Sequence, residues 1–222
     1  MTEQEWLGCS EPRLMLNFLW RKAFGRRIHL FGCACCRMVW HLLVDERSRN
    51  AVDQAERYAD GLIDLATVEL SSTAAHNACV ELKSRCNPGS TTPEQDEARL
   101  NAAEMAEEVA PSSWYYIHEI ADGPRNPLAV STLLRCIFGN PFRPATLDPA
   151  WRTSTVVALA RGIYDDRAFD RLPILADALQ DAGCDSDDIL NHCRDAGPHA
   201  RGWWVVDLVM GKAKVGLCPT ER

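Results

Sequence analysis

Ile28-His29-Leu30-Phe31-Gly32-Cys33-Ala34-Cys35-Cys36-Arg37-Met38-Val39-Trp40-His41-Leu42-Leu43 carries the strongest helical pattern in the chain. Ile28, Phe31, Cys35, Met38 and Leu42 recur at alternating spacings of three and four residues, which sets them on one face of an α-helix and marks that face as core. Asp45-Glu46-Arg47 interrupts the pattern. A second helix resumes over about 51–65, with Val52, Ala55, Tyr58 and Ala59 inward and Arg57 and Asp60 outward. The simplest arrangement of the two is a helical hairpin.

The same signals extend in both directions. Thr2 and Glu5 form a capping box, and a second helix over about 12–22 pairs Leu14 with Phe18 and Met15 with Leu19 as one apolar stripe. A helix over about 68–85 ends before Asn87-Pro88-Gly89-Ser90-Thr91, the most loop-like stretch. Thr92-Pro93-Glu94-Gln95 then opens an Ala- and Glu-rich helix to about 110. Asp122-Gly123-Pro124-Arg125-Asn126-Pro127 breaks the chain ahead of a short apolar helix over 128–138, stopped by Gly139. Helices are expected over 155–164, 172–182 and 187–194. The apolar run 203–210 reads equally as a helix or a buried strand, because periodicity cannot assign so short a segment. No strand–helix alternation suggests a nucleotide-binding sheet. The expected fold is an all-α multi-helix bundle with room for one short strand near the C-terminus. It forms one domain over 1–222, with a subdomain junction near 87–93.

With 222 residues, 46% of them hydrophobic and 25% charged, the chain has the composition of a folded globular protein. Its formal net charge of −7 opposes phosphate backbones and anionic lipid, so neither nucleic acid nor membrane is an expected partner; an unidentified protein is. The basic run Arg21-Lys22 and Arg26-Arg27 reads as a solvated helix end. Acids stand at Glu3 and Glu5, where a secretory signal carries basic residues, so a cytoplasmic location is expected and the ten cysteines read as reduced thiols.

Four segments carry a resemblance: Leu30-Phe31-Gly32-Cys33-Ala34-Cys35-Cys36-Arg37, Glu56-Arg57-Tyr58-Ala59-Asp60-Gly61, Ile137-Phe138-Gly139-Asn140-Pro141-Phe142-Arg143-Pro144 and Arg171-Leu172-Pro173-Ile174-Leu175-Ala176-Asp177-Ala178-Leu179. With the tail Pro198-His199-Ala200-Arg201-Gly202, these resemble an expanded family of uncharacterised planctomycete bacterial proteins, over most of the chain outside about 66–130. The resemblance implies homology and brings no established activity. In the family pattern a Cys often stands at the position of Trp203, and a Gly at that of Asp195 or Ala196. A family metal site built on that Cys would lack a ligand here.

Cys33 and Cys36 lie three apart on the expected helix, so both thiols can face one side and supply half of a tetrahedral zinc site. Cys193 and His199 are the candidates for the other half. Against this, all of these residues also suit simple packing, since a free Cys behaves as a small hydrophobe. No cofactor is required by the sequence, and zinc is the one it leaves open. A redox role for Cys33 and Cys36 fits poorly, because a reactive thiol needs an exposed position at a helix start. His192 reads as a helix-end or packing residue, while His29, His41, His76 and His118 have no partner pattern. Asp185, Asp187 and Asp188 read as N-terminal caps. Pro141 and Pro144 fix a corner in which Phe142 is buried and Arg143 pairs with an acid; the sharper alternative gives Arg143 an anionic ligand. No short catalytic motif is present. A helical interaction or regulatory module is therefore the expected function, with a zinc-dependent enzyme or zinc-stabilised domain as the alternative.

Overall fold

The computed structural model describes residues 1–19, 25–85, 92–111, 117–124 and 126–212. Among these residues the chain forms twelve α-helices and no strand. They are α1 (Glu3–Gly8), α2 (Pro12–Leu19), α3 (Arg26–Met38), α4 (Glu46–Ala59), α5 (Leu65–Arg85), α6 (Pro93–Glu107), α7 (Ile117–Asp122), α8 (Pro127–Phe138), α9 (Ser154–Asp166), α10 (Leu172–Asp181), α11 (Asp187–Arg194) and α12 (Trp204–Met210). The all-α reading holds. The strand option at 203–210 does not, since those residues form α12, whose Val205, Val206 and Val209 are buried against other helices. No described helix is long and apolar enough to cross a membrane.

Local chemistry explains the boundaries. Thr2 and Glu5 close the capping box at α1, with the Thr2 N–H donating to Glu5 at 2.7 Å. Asp45 accepts from the Arg47 N–H at 2.9 Å and starts α4, and Asn126 caps α8 through the Ala129 N–H. Helix α3 is buried nearly all round from Leu30 to Cys36, beyond the single face the periodicity marks, so it is the central helix of the first core. In α2, Met15, Leu16 and Leu19 are inward, but Leu14 is 57% exposed and lies off the expected stripe.

Two hydrophobic cores result. The first gathers α1 to α8 around Trp6, Phe31, Val52, Met105 and Leu134; the second gathers α9 to α12 around Tyr164, Leu175, Trp203 and Val205. Helix α8 belongs to both: Val130, Leu133, Leu134 and Ile137, spaced three and four apart, face the first core, while Cys136 faces the second. The cores thus divide at α8. Residues 87–91 of the expected junction lie outside the described residues, and the helices flanking it, α5 and α6, pack together. The Ser72 hydroxyl donates to the Glu107 carbonyl at 2.7 Å, and Lys83 pairs with Glu104 at 2.9 Å.

Two glycines set the approach of the halves. Gly139 ends α8 at φ +67° with the Trp204 ring 3.3 Å from where a Cβ would stand, and its carbonyl accepts the Trp6 indole N–H at 3.0 Å. Gly202, at φ +84°, lies against Leu30, whose Cδ1 would meet an added Cβ at 2.7 Å. The seam between the cores also carries a polar network. Arg26 bonds Asp60 at 3.0 Å, the Tyr164 hydroxyl at 2.6 Å and buried Asp207; the Tyr164 hydroxyl donates to Asp60 at 2.7 Å. Burial pushes the Asp207 carboxyl up despite Arg26.

Glu108, at the C-terminal end of α6, is half-buried near Glu104, Glu107 and Glu119. Burial first, then those like charges, raise its carboxyl to about 7. A raised folded-state value means that the native protein holds this proton between about pH 4.5 and 7, so Glu108 costs stability as pH rises through that window. Glu108→Gln is expected to raise unfolding stability by about 1 kcal/mol at pH 8, after allowance for solvent screening, and by nothing measurable below pH 4. Denaturant titrations at the two pH values check this; equal effects at both would contradict it.

Candidate metal centre

Cys136 projects from the second-core face of α8, His192 from the last turn of α11, and His199 from the segment that joins α11 to α12. Each offers one ligand atom, and the three atoms lie within 4.8 Å of one another. This is the one such group of three or more His, Cys, Asp or Glu residues among the described residues.

His199 is the best-oriented member. Its Nε2 lies 2.8 Å from the Asp195 backbone carbonyl, an acceptor only, so Nε2 carries the proton and donates it there. The Nδ1 lone pair is thereby turned to the Cys136 sulfur, 3.6 Å away. A carbonyl that fixes the imidazole tautomer is the usual outer support of a metal-ligating histidine. The spacing also fits: bonds of about 2.3 Å to sulfur and about 2.0 Å to nitrogen at a tetrahedral angle hold the two ligand atoms about 3.5 Å apart.

His192 packs against His199 with ring centroids 5.9 Å apart, edge to face, and against Trp203 and Trp204 at 5.3 Å each. Burial, with His199 beside it, lowers its value to about 4, so the ring is neutral and a lone pair is free to coordinate. Its Nε2 is buried and finds no hydrogen-bond partner among the described residues. Trp203 covers His199 at 5.1 Å and is itself fully buried. Cys136 is equally enclosed, and burial drives its thiol far above the ordinary range. The Cys136–His199 pair therefore does not make a nucleophile of the thiol: a catalytic cysteine needs a lowered value and access to substrate. A bound cation would supply the charge that this thiolate lacks.

Of the four ligands read from the sequence, only His199 belongs to the centre. Cys33 and Cys36 are buried in the first core on α3, where burial raises both thiols, Cys36 to about 12. Cys193 is buried in the second core, also pushed up to about 12 by burial. It adjoins His192 in sequence, but successive helical side chains diverge by about 100°, so His192 faces the centre while Cys193 faces the core. The set Cys33, Cys36, Cys193 and His199 is not brought together. Arg143, the candidate anion contact, is exposed and pairs with Glu3, while Phe142, expected to be buried, is half-buried and stacks on Phe18 at 5.0 Å. Hydrogen bonds from Asn140 first and Arg143 second hold the Glu3 carboxyl below its ordinary value.

Cys136 and His192 are the residues that sequence reading missed. Cys136 sits inside an apolar helix and reads as a hydrophobe; His192 reads as a helix-end residue. The only local signal is the spacing His192-x6-His199, which falls outside the recurrent zinc-finger patterns. Comparison of the chain with protein-family models, with curated proteins and with solved structures finds no match.

Proposed function

We propose that the chain is a helical interaction or regulatory module whose second core is fastened to α8 by one thiophilic metal ion, zinc or copper(I), held by Cys136, His192 and His199. The observation that carries this reading is the orientation of His199, whose Nε2–H is committed to the Asp195 carbonyl while Nδ1 lies 3.6 Å from the Cys136 sulfur. The bound ion would supply positive charge to a buried thiolate and a cross-link among α8, α11 and the 195–199 segment. Three protein ligands is also the number found in catalytic zinc sites. The full burial of the Cys136 thiol supports the stabilising role over the enzymatic one, with His192 and His199 half-buried beside it. The likeness to the planctomycete family is part of the same proposal, resting on the motifs quoted above.

Protein purified without chelator is expected to retain about one equivalent of metal, and chelation is expected to lower its thermal midpoint, because binding to the native state alone is linked to folding. Cys136→Ser and His199→Asn should each abolish retention, while Cys33→Ser should leave it intact. Metal-free protein whose midpoint ignores both chelator and added zinc would overturn the reading.

A further inference from the structure

We infer that the Cys136–His192–His199 centre is a three-coordinate site that takes monovalent copper in preference to zinc, an inference that rests on the metal-binding reading above. The donor set is one thiolate and two neutral imidazoles, and no further Cys, His, Asp or Glu atom among the described residues joins the three within their 4.8 Å span. Zinc in protein sites is almost always four-coordinate. Here the side chains packed on the imidazoles are indoles: Trp203 against both rings and Trp204 against His192. An indole N–H is a donor only and cannot ligate, and the Trp203 Nε1 is itself buried without a partner. Cys136 is fully buried and the two imidazoles are half-buried, and among the described residues the protein supplies these three ligands and no fourth.

Charge gives the second argument. Cys136 and Trp203 are nine-tenths or more buried, and a buried charge is stable only when compensated. A monovalent copper ion with one thiolate and two neutral imidazoles forms a neutral assembly. Divalent zinc on the same three ligands leaves one positive charge beside the buried Cys136 sulfur. Ligand softness admits both ions, since thiolate and imidazole suit copper(I) and zinc alike, but a copper(I) ion is stable with three ligands where zinc takes four.

Asp195 is the one rival feature. Its exposed carboxylate accepts the Gly197 N–H at 3.1 Å, and its charge reaches both Cys136 and His192. Were it to leave Gly197 and swing onto the metal, it would provide both the fourth ligand and the missing charge that zinc requires.

The test loads the metal-free full-length chain anaerobically with copper(I), in competition with bicinchoninate, and separately with zinc in competition with a chromophoric chelator. X-ray absorption then counts the scatterers around bound copper, and Asp195→Asn, Cys136→Ser and His199→Asn are carried through the same series. One equivalent of copper(I) is expected, with one sulfur and two nitrogens, and with zinc the more weakly bound of the two ions. Asp195→Asn should change neither ion, and Cys136→Ser or His199→Asn should remove the copper. Zinc binding as tight as copper, a selective loss of zinc affinity in Asp195→Asn, or copper seated on two or more sulfurs would each overturn the preference for three-coordinate copper while leaving a metal centre in place. Binding of neither ion, or binding of both unaltered in Cys136→Ser and in His199→Asn, would overturn the preference and the metal reading together.

Discussion

Glu56→Ala is expected to lower the unfolding free energy by about 3–5 kcal/mol, because it removes one partner of a buried charge network and strands the rest. The Glu56 side chain is 3% exposed and faces three guanidinium groups. Arg37 bonds it through Nε at 3.0 Å and through Nη2 at 3.1 Å, Arg167 through Nη2, and Arg201 lies 3.6 Å away. Asp53 shares Arg37 and Arg167 but is half exposed, so it cannot take over the role of Glu56. The arginines come from α3, from the C-terminal end of α9 and from the segment before α12, so the loss falls on the seam between the two cores. Arg167 adds a local cost of its own, since it is the one non-glycine residue at positive φ among those described, at 52°. Denaturant unfolding checks the prediction, with Glu56→Gln as the companion variant that keeps the volume and removes the charge. Both variants should be strongly destabilised. A loss below about 1 kcal/mol in each would mean that the three arginines are adequately solvated without Glu56.

Phe31→Ala should destabilise by a similar amount, about 3–5 kcal/mol, for an unrelated reason. The ring is fully buried at the centre of the first core, in a helix that packs on α4, α6, α7 and α8. Truncation loses the transfer free energy of the ring and leaves a cavity that four rigid neighbours cannot all collapse into. Leu70→Ala, on the same bundle but 73% exposed, serves as the control and should change stability by less than about 0.5 kcal/mol. An effect that small at Phe31 would place its ring on the wrong face of α3.

The helices were largely legible because their signals are local. The Thr2–Glu5 box, Pro93 at its helix start and the three-and-four spacing of α8 all act within a turn or two of chain; α4, expected over about 51–65, runs instead over Glu46–Ala59, because Asp45, read as an interruption, caps it. Helix α7 was missed: its six residues are too few to show a period, and it is ordered by packing Ile117 and Ile120 on α3. Asp60 was read as outward from the pattern of α4, yet its side chain is 3% exposed. Burial raises its carboxyl, but hydrogen bonding to Tyr164 and the charges of Arg26 and Lys212 hold it lower still, so it stays ionised within the seam. A polar residue is put on the solvent face by default, and only partners more than thirty residues away reverse that default.

What the amino-acid sequence determines by itself is therefore the all-α class, most helix boundaries and the core role of α3, since apolar periodicity and capping are properties of neighbouring residues. The tertiary structure alone decides that the cores divide at α8, that Glu56 and Asp60 are interior, and that His199 meets Cys136 and His192 instead of Cys33, Cys36 and Cys193. Cysteine and histidine carry no directional signal in sequence: each can pack or ligate, and which it does depends on whether lone pairs from different helices converge within a few ångströms. That convergence follows from the way α8, α11 and α12 pack, and it is encoded in volumes and contacts spread over the whole second core.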